Sequence, residues 1–272
     1  MILKPRPFRK PNLGHPLARG LVGLWLMNEG SGDTIQDLSG CGNHFTESGG
    51  VIWVPGKSGP ATRFDGDDDC LTASDSPSLD ISGAISIGIW FRADSLVDND
   101  GGLLSKGIDG GSKYFGTAAE YTYMVGILDN TLYWGISDGT NREWATKAFA
   151  GYIDGNWHYL MCVWDGANYL AVWVDGLEVG TNVAISTTHI QNLTSSLDIG
   201  GGATVFNYSG DIDVITLHNR FLTATERQQL YQNPFAMFEQ DNIVLWQPEA
   251  GEPPAGNAGI MTTWGGYWGA TY

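Results

Sequence analysis

The chain has 272 residues, 42% hydrophobic and 12% aromatic, which is enough to bury one sizeable core or two small ones and too apolar for a disordered chain. Its 38 glycines and only 16% charged residues favour short strands joined by tight turns over long surface helices. A formal charge of −16, from 14 Lys and Arg against 30 Asp and Glu, argues against generic nucleic-acid binding, because it repels a phosphate backbone, whereas acidic loops suit cations.

Residues 1–19 hold Pro5, Pro7, Pro11 and Pro16 among the basic residues Lys4, Arg6, Arg9, Lys10 and Arg19. Proline removes a backbone donor and fixes φ, so this stretch is expected to be an extended arm suited to an acidic surface. The same residues interrupt any apolar stretch of a secretory signal. Two origins fit: a leader removed from this sequence, or cytosolic synthesis with release by another route such as lysis. No apolar run approaches the roughly 20 residues of a membrane span.

From Leu21 the pattern changes. Leu21–Met27 reads as an apolar strand closed by the turn cluster Asn28-Glu29-Gly30-Ser31-Gly32-Asp33. Beyond it, strand-like runs and turn signals alternate every 8–12 residues or so, the spacing of a sandwich or barrel. Ile85–Phe91 and Tyr169–Val174 alternate with period two, so one face of each is expected to pack inward. Asp165-Gly166 and Asp175-Gly176 supply positive-φ turn residues around the run Trp157–Val174, which predicts a hairpin. One helix is predicted, with Thr223 as N-cap, Glu226 completing a capping box and Pro234 as the stop. The remainder, 234–272, is irregular and rich in Gly, Pro and aromatic residues. It cannot bury Trp246, Trp264, Tyr267 and Trp268 within itself, so these four are expected to anchor a protein interface.

Several of these segments, in this order, resemble the laminin-G-like jelly rolls of the concanavalin A-like lectin/glucanase superfamily. Leu24–Gly32 resembles the opening strand and its acidic turn, and Asp37–His44 the D-x-S-G-x-G-N-H loop. Phe64–Cys70 is similar to the F-D-G-x-D-D-x turn, and Ser86–Phe91 to the central strand. Gly155–Tyr159 with Val174-Asp175-Gly176 resembles the G-x-W-H and V-D-G hairpin, and Gly210–Asp213 with Asn219–Thr223 the closing strand and the approach to the helix. The resemblance implies an all-β, two-sheet antiparallel jelly-roll β-sandwich over 20–233, with one short C-terminal helix and extended arms at 1–19 and 234–272. His15–Trp25 and Tyr231–Phe238 also resemble the subset encoded in tailed-phage genomes. That implies a virion component (decoration, fibre or tail-associated), homo-oligomeric and held to its neighbours by both arms.

The resemblance also places Asp37, Asn43 and Asp213 near one edge of the sandwich, with Glu29 and Asp211 nearby. These oxygens suit Ca2+, or are solvated turn residues that bond their own backbone. Asp67-Asp68-Asp69 reads as a solvated turn, since three adjacent side chains cannot all point at one ion. Val214 stands where the family often has another acidic residue. Cysteine at 41 and 70, where the family usually has a polar residue and a tyrosine, raises a possible disulfide, although free thiols are the default and Cys162 reads as a small core residue.

For sugar binding, an exposed ring with polar neighbours is required. Trp144, after Asn141, Arg142 and Glu143, is the leading candidate, with Tyr114 and Tyr121 behind it, whereas Trp25, Trp90, Trp157 and Trp173 belong to strand faces and the core. His44 and His158 read as structural, each bonding through one ring nitrogen. Glycoside hydrolysis needs paired carboxylates, and Asp211-Ile212-Asp213-Val214-Ile215-Thr216 lacks the last of the E-x-D-x-x-E set. The expectation is therefore a non-enzymatic protein. The alternative is a secreted, extracellular carbohydrate-binding module or adhesin.

Overall fold

A computed structural model of the chain describes residues 3–7, 9–93, 101–107, 118–182, 185–201 and 207–238. Turn residues and apolar runs segment it much as the sequence predicts. Asp175 and Gly176, at φ 53° and 80°, make the left-handed two-residue turn that matches the twist of the strands it joins. Asp129 and Asn130, at φ 49° and 57°, do the same between Leu128 and Thr131.

Among the described residues there are two eight-stranded antiparallel sheets. The first runs β14 (Leu177–Asn182), β13 (Leu170–Val174), β12 (Trp157–Trp164), β7 (Ile85–Arg92), β16 (Ser209–His218), β5 (Pro60–Asp65) and β4 (Ile52–Pro55), with β1 (Leu21–Trp25) also paired to β16. The second runs β11 (Arg142–Ala148), β10 (Thr131–Ser137), β9 (Tyr121–Leu128), β8 (Gly101–Gly107), β15 (Leu197–Ile199), β6 (Cys70–Ala73), β3 (Phe45–Ser48) and β2 (Thr34–Ile35). The arrangement is a jelly-roll sandwich. Trp25, Phe45, Phe91, Trp134 and Trp164 fill the space between the sheets. No helix among the described residues is long and apolar enough to cross a membrane.

The first sheet departs from the expected one-sided pattern. Its outer face is also covered, by the 3-10 turn Pro16–Ala18, the helix α1 (Ala224–Gln232) and residues 235–238, which bury Leu17, Trp90, Tyr159, Met161, Trp173, Leu230 and Met237 in a second apolar cluster. A strand buried on both faces needs no polar alternation, which is why β12 reads as the nearly continuous apolar run Tyr159–Trp164. Trp25, Trp90 and Trp173 are buried as expected. Trp157 is only half-buried, with the Arg92 guanidinium 5.1 Å from its ring centroid. The capping box on α1 forms as the sequence predicts, with the Thr223 hydroxyl accepting from the Glu226 backbone N–H and the Glu226 carboxylate accepting from the Thr223 N–H. Cys41 is exposed and Cys70 buried, and no disulfide joins them; Cys162 lies in the core. The Cys70 Sγ lies 2.9 Å from the Gly201 carbonyl, so its place in the turn is held by a backbone acceptor rather than by Cys41.

The N-terminal arm, expected to reach outward, lies on its own sandwich over its described length. Asn12 donates its N–H to the Met237 carbonyl at 2.8 Å, and Arg220 holds the carbonyls of Pro16 and Arg19. His218, fully buried in β16, donates its Nε2–H to the Leu17 carbonyl at 2.8 Å, while its Nδ1 has no partner among the described residues. Burial, with the nearby Arg220 charge, pushes its pKa down to about 4. The unfolded chain binds this proton near pH 6.5, so the stability tied to neutral His218 is present above that pH and drains as the pH falls towards 4. The loss is about 3 kcal/mol across that window. Urea unfolding at pH 7 and pH 4.5 is expected to show a shallower dependence in His218→Gln than in the wild type, and equal slopes would refute the assignment.

Candidate functional site

The outer face of the second sheet carries the arrangement best suited to a ligand. Trp144 sits in β11, not in a loop, and pairs across the sheet with Gly135, which in turn pairs with Met124. Because Gly135 has no side chain, the indole packs over its backbone, in space that a Cβ would occupy. The ring packs against Tyr121, with centroids 5.3 Å apart and planes at 31°, and meets Tyr133 at 5.8 Å and 86°. Tyr121, Met124, Leu128, Tyr133 and Trp144 form a small apolar cluster of their own, separate from both cores.

Two of the ring residues singled out by sequence are therefore neighbours. Tyr121 is held by the backbone around it. Gln191 donates its side-chain amide to the carbonyls of Ala118 and Tyr121, both at 2.6 Å, and the Ser137 hydroxyl also reaches Ala118. Burial pushes the Tyr121 hydroxyl above its ordinary pKa, so it remains a neutral donor and acceptor. Tyr114 lies outside the described residues. The polar neighbours expected of Trp144 divide differently. Glu143 points to the opposite face and accepts from the backbone and hydroxyl of Ser186, both at 2.7 Å, and Asn141 donates to Asp138. Arg142, two residues before Trp144 in an extended strand, shares the face of the ring. Tyr133 and Gln191 escaped sequence reasoning. The register set by Asp129-Asn130 and the turn at 138–141 was the available signal for Tyr133, since it places that ring beside Trp144.

Among the described residues, the acids Glu29, Asp37, Asp211 and Asp213 do not appear in a converging group of three, and each of the five expected calcium ligands has protein partners of its own. The Asp37 carboxylate accepts from the N–H groups of Leu24, Ser39 and Asn43 and from the Ser39 hydroxyl, at 2.8–3.0 Å. Asn43 spends its side chain on the Val22 carbonyl and on Ser76 and Ser78. The Glu29 carboxylate accepts from the N–H groups of Asn28 and Gln36. Asp211, fully buried, is clasped by Arg63 and Arg92, whose Nε atoms each stand 2.6 Å from its oxygens. Asp213 pairs with the buried ammonium of Lys4, which also reaches the Met27 and Pro60 carbonyls, and Asp213 accepts from the N–H groups of Lys57 and Ser58 as well. Burial drives the Lys4 pKa down and the Asp213 pKa up, and the charge of each opposes the shift of the other. Cations already meet Asp211 and Asp213, but they are side chains.

The two histidines are structural, although His158 uses both ring nitrogens. Nδ1 lies 2.7 Å from Asp175 and Nε2 3.0 Å from Asp154, while His44 Nδ1 accepts from the Asp37 N–H. Trp246, Trp264, Tyr267 and Trp268 lie outside the described residues.

A double-sheet jelly roll with an aromatic platform on one outer sheet face has the form of a lectin-like domain. Residues 65–226 match the family model of the concanavalin A-like lectin/glucanases superfamily, and the chain belongs to that superfamily. No curated protein sequence matches it. Among solved structures it is similar to the binding domain of Paraclostridial Mosquitocidal Protein 1, with a TM-score of 0.64 and 16% identity over 81% of this chain and 53% of that one. It is also similar to the botulinum neurotoxin serotype D ligand binding domain in complex with N-acetylneuraminic acid (TM-score 0.63, 9% identity, 79% of this chain and 51% of that one). A third is the binding domain of botulinum neurotoxin DC in complex with rat synaptotagmin II (TM-score 0.63, 13% identity, 79% and 52%). The chain spans about half the length of these structures, and at such identities the likeness is one of fold.

Proposed function

We propose that the protein is a non-enzymatic carbohydrate-binding jelly roll, exposed on a virion and presenting the Trp144, Tyr121 and Tyr133 platform to a surface glycan. The platform carries this reading. A half-exposed indole on a sheet face, packed against two tyrosines, offers an apolar surface on which a pyranose stacks, and Arg142 on the same face supplies charge for an acidic sugar. Toxin binding domains of the same fold, one in complex with N-acetylneuraminic acid, make sialylated glycans the first to test.

The carboxylates support the absence of catalysis. Asp211 and Asp213 are fully buried and spent on Arg63, Arg92 and Lys4, so neither is placed to transfer a proton to a substrate. The virion assignment rests on the phage-like segments His15–Trp25 and Tyr231–Phe238, which contribute Leu17, Leu21 and Phe235 to one apolar cluster.

A glycan array followed by titration of the best ligand tests the platform. Trp144→Ala is expected to weaken binding at least tenfold, equivalent to about 1.4 kcal/mol, with a small change in melting temperature because the ring lies outside both cores. Unchanged affinity in both Trp144→Ala and Tyr133→Ala, or no ligand on the array, would sink the reading.

A further inference from the structure

We propose that the turn between β5 and β6 is a calcium site built from the carboxylates of Asp65, Asp68 and Asp69. The five-residue acidic turn does not act as three adjacent side chains. Gly66 at φ 85° bends the chain, and Asp65, Asp68 and Asp69 each bring a carboxylate oxygen within 4.8 Å of the other two, with Asp67 outside the trio. Two oxygens bound to one Ca2+ at 2.3–2.6 Å stand up to about 5 Å apart, so these three fit a single ion.

Convergence alone would describe a solvated acidic turn. Asp69 supplies the independent observation: its residue is only 3% exposed, and its Oδ1 is buried with no hydrogen-bond partner. Its Oδ2 accepts from the Asp65 N–H at 2.8 Å, which accounts for one oxygen and not the other. Oδ1 points towards the Gly49-Gly50 loop, where a Cβ on Gly50 would stand 3.8 Å from it.

A carboxylate oxygen removed from water and given no donor is costly, more so beside two like charges. Asp211 and Asp213 escape this cost through Arg63, Arg92 and Lys4. Among the described residues none of the ion pairs involves Asp65, Asp68 or Asp69. Asp65 and Asp68 are exposed, which leaves room for the waters that complete the six to eight oxygens of a calcium shell.

The test uses the full chain with CaCl2 as the probe, by titration calorimetry and by melting in CaCl2 against EGTA. The wild type is expected to bind one ion and to melt several degrees higher in 1 mM CaCl2. Asp69→Asn is expected to abolish binding and the rise. Asp68→Asn, at an exposed position that folding does not need, is expected to lower affinity at least tenfold while melting like the wild type in EGTA. No binding heat and no rise in the wild type, or wild-type affinity in both variants, overturns the proposal.

Discussion

Asp213→Ala is expected to destabilise the protein by about 3–5 kcal/mol, the usual cost of breaking a buried ion pair from one side. The carboxylate serves three donors at once: the Lys4 ammonium and the N–H groups of Lys57 and Ser58. Its removal strands a buried cation and two backbone donors. The loss should also loosen the arm, because Lys4 is the residue that ties residues 3–7 to the β4–β5 hairpin through the Pro60 carbonyl. The paired replacement Lys4→Met with Asp213→Asn removes both charges but keeps an acceptor for the two N–H groups. It is expected to recover most of the loss. Denaturant unfolding of the wild type, Lys4→Met, Asp213→Asn and the double variant closes the cycle, with Asp213→Ala measured beside them. A single-variant loss under about 1 kcal/mol, within the range of an exposed pair, would contradict the latch, and so would a double variant no better than Asp213→Ala.

Asp37→Ala is expected to cost about 3 kcal/mol or more, because each buried N–H left without its acceptor costs roughly 1–3 kcal/mol and three lose theirs together. Those donors belong to Leu24, Ser39 and Asn43, so one carboxylate joins β1 to the loop that follows β2. Trp25, whose indole N–H donates to the Asn43 carbonyl at 2.7 Å and whose ring packs 4.6 Å from Phe45, depends on that loop keeping its shape. Since protein donors use this carboxylate on both oxygens, the loss should be equal in calcium and in chelator. Chemical unfolding in both conditions checks this. A variant that loses stability only when calcium is present would return Asp37 to the role of metal ligand.

The sequence by itself determined the strand and turn order and the capping box at Thr223 and Glu226. These are local quantities. A two-residue turn needs positive φ where Asp175 and Gly176 stand, and an N-cap is satisfied within its own first turn. The fate of the acids was decided only by tertiary structure. Asp213 meets a lysine more than 200 positions earlier, and Asp211 meets arginines on two other strands. No local pattern separates a carboxylate that will hold a metal from one that a distant side chain will neutralise.

Tertiary structure likewise decided that β12 is buried on both faces, because only the return of Leu17, Leu230 and Met237 over the first sheet covers its outer side. The same holds for Asp65, Asp68 and Asp69. Adjacent carboxylates cannot share an ion on an extended strand, whose side chains alternate between faces, but Gly66 bends this segment out of a strand, and a buried oxygen without a donor becomes visible only once the neighbouring loop at Gly49 and Gly50 is in place.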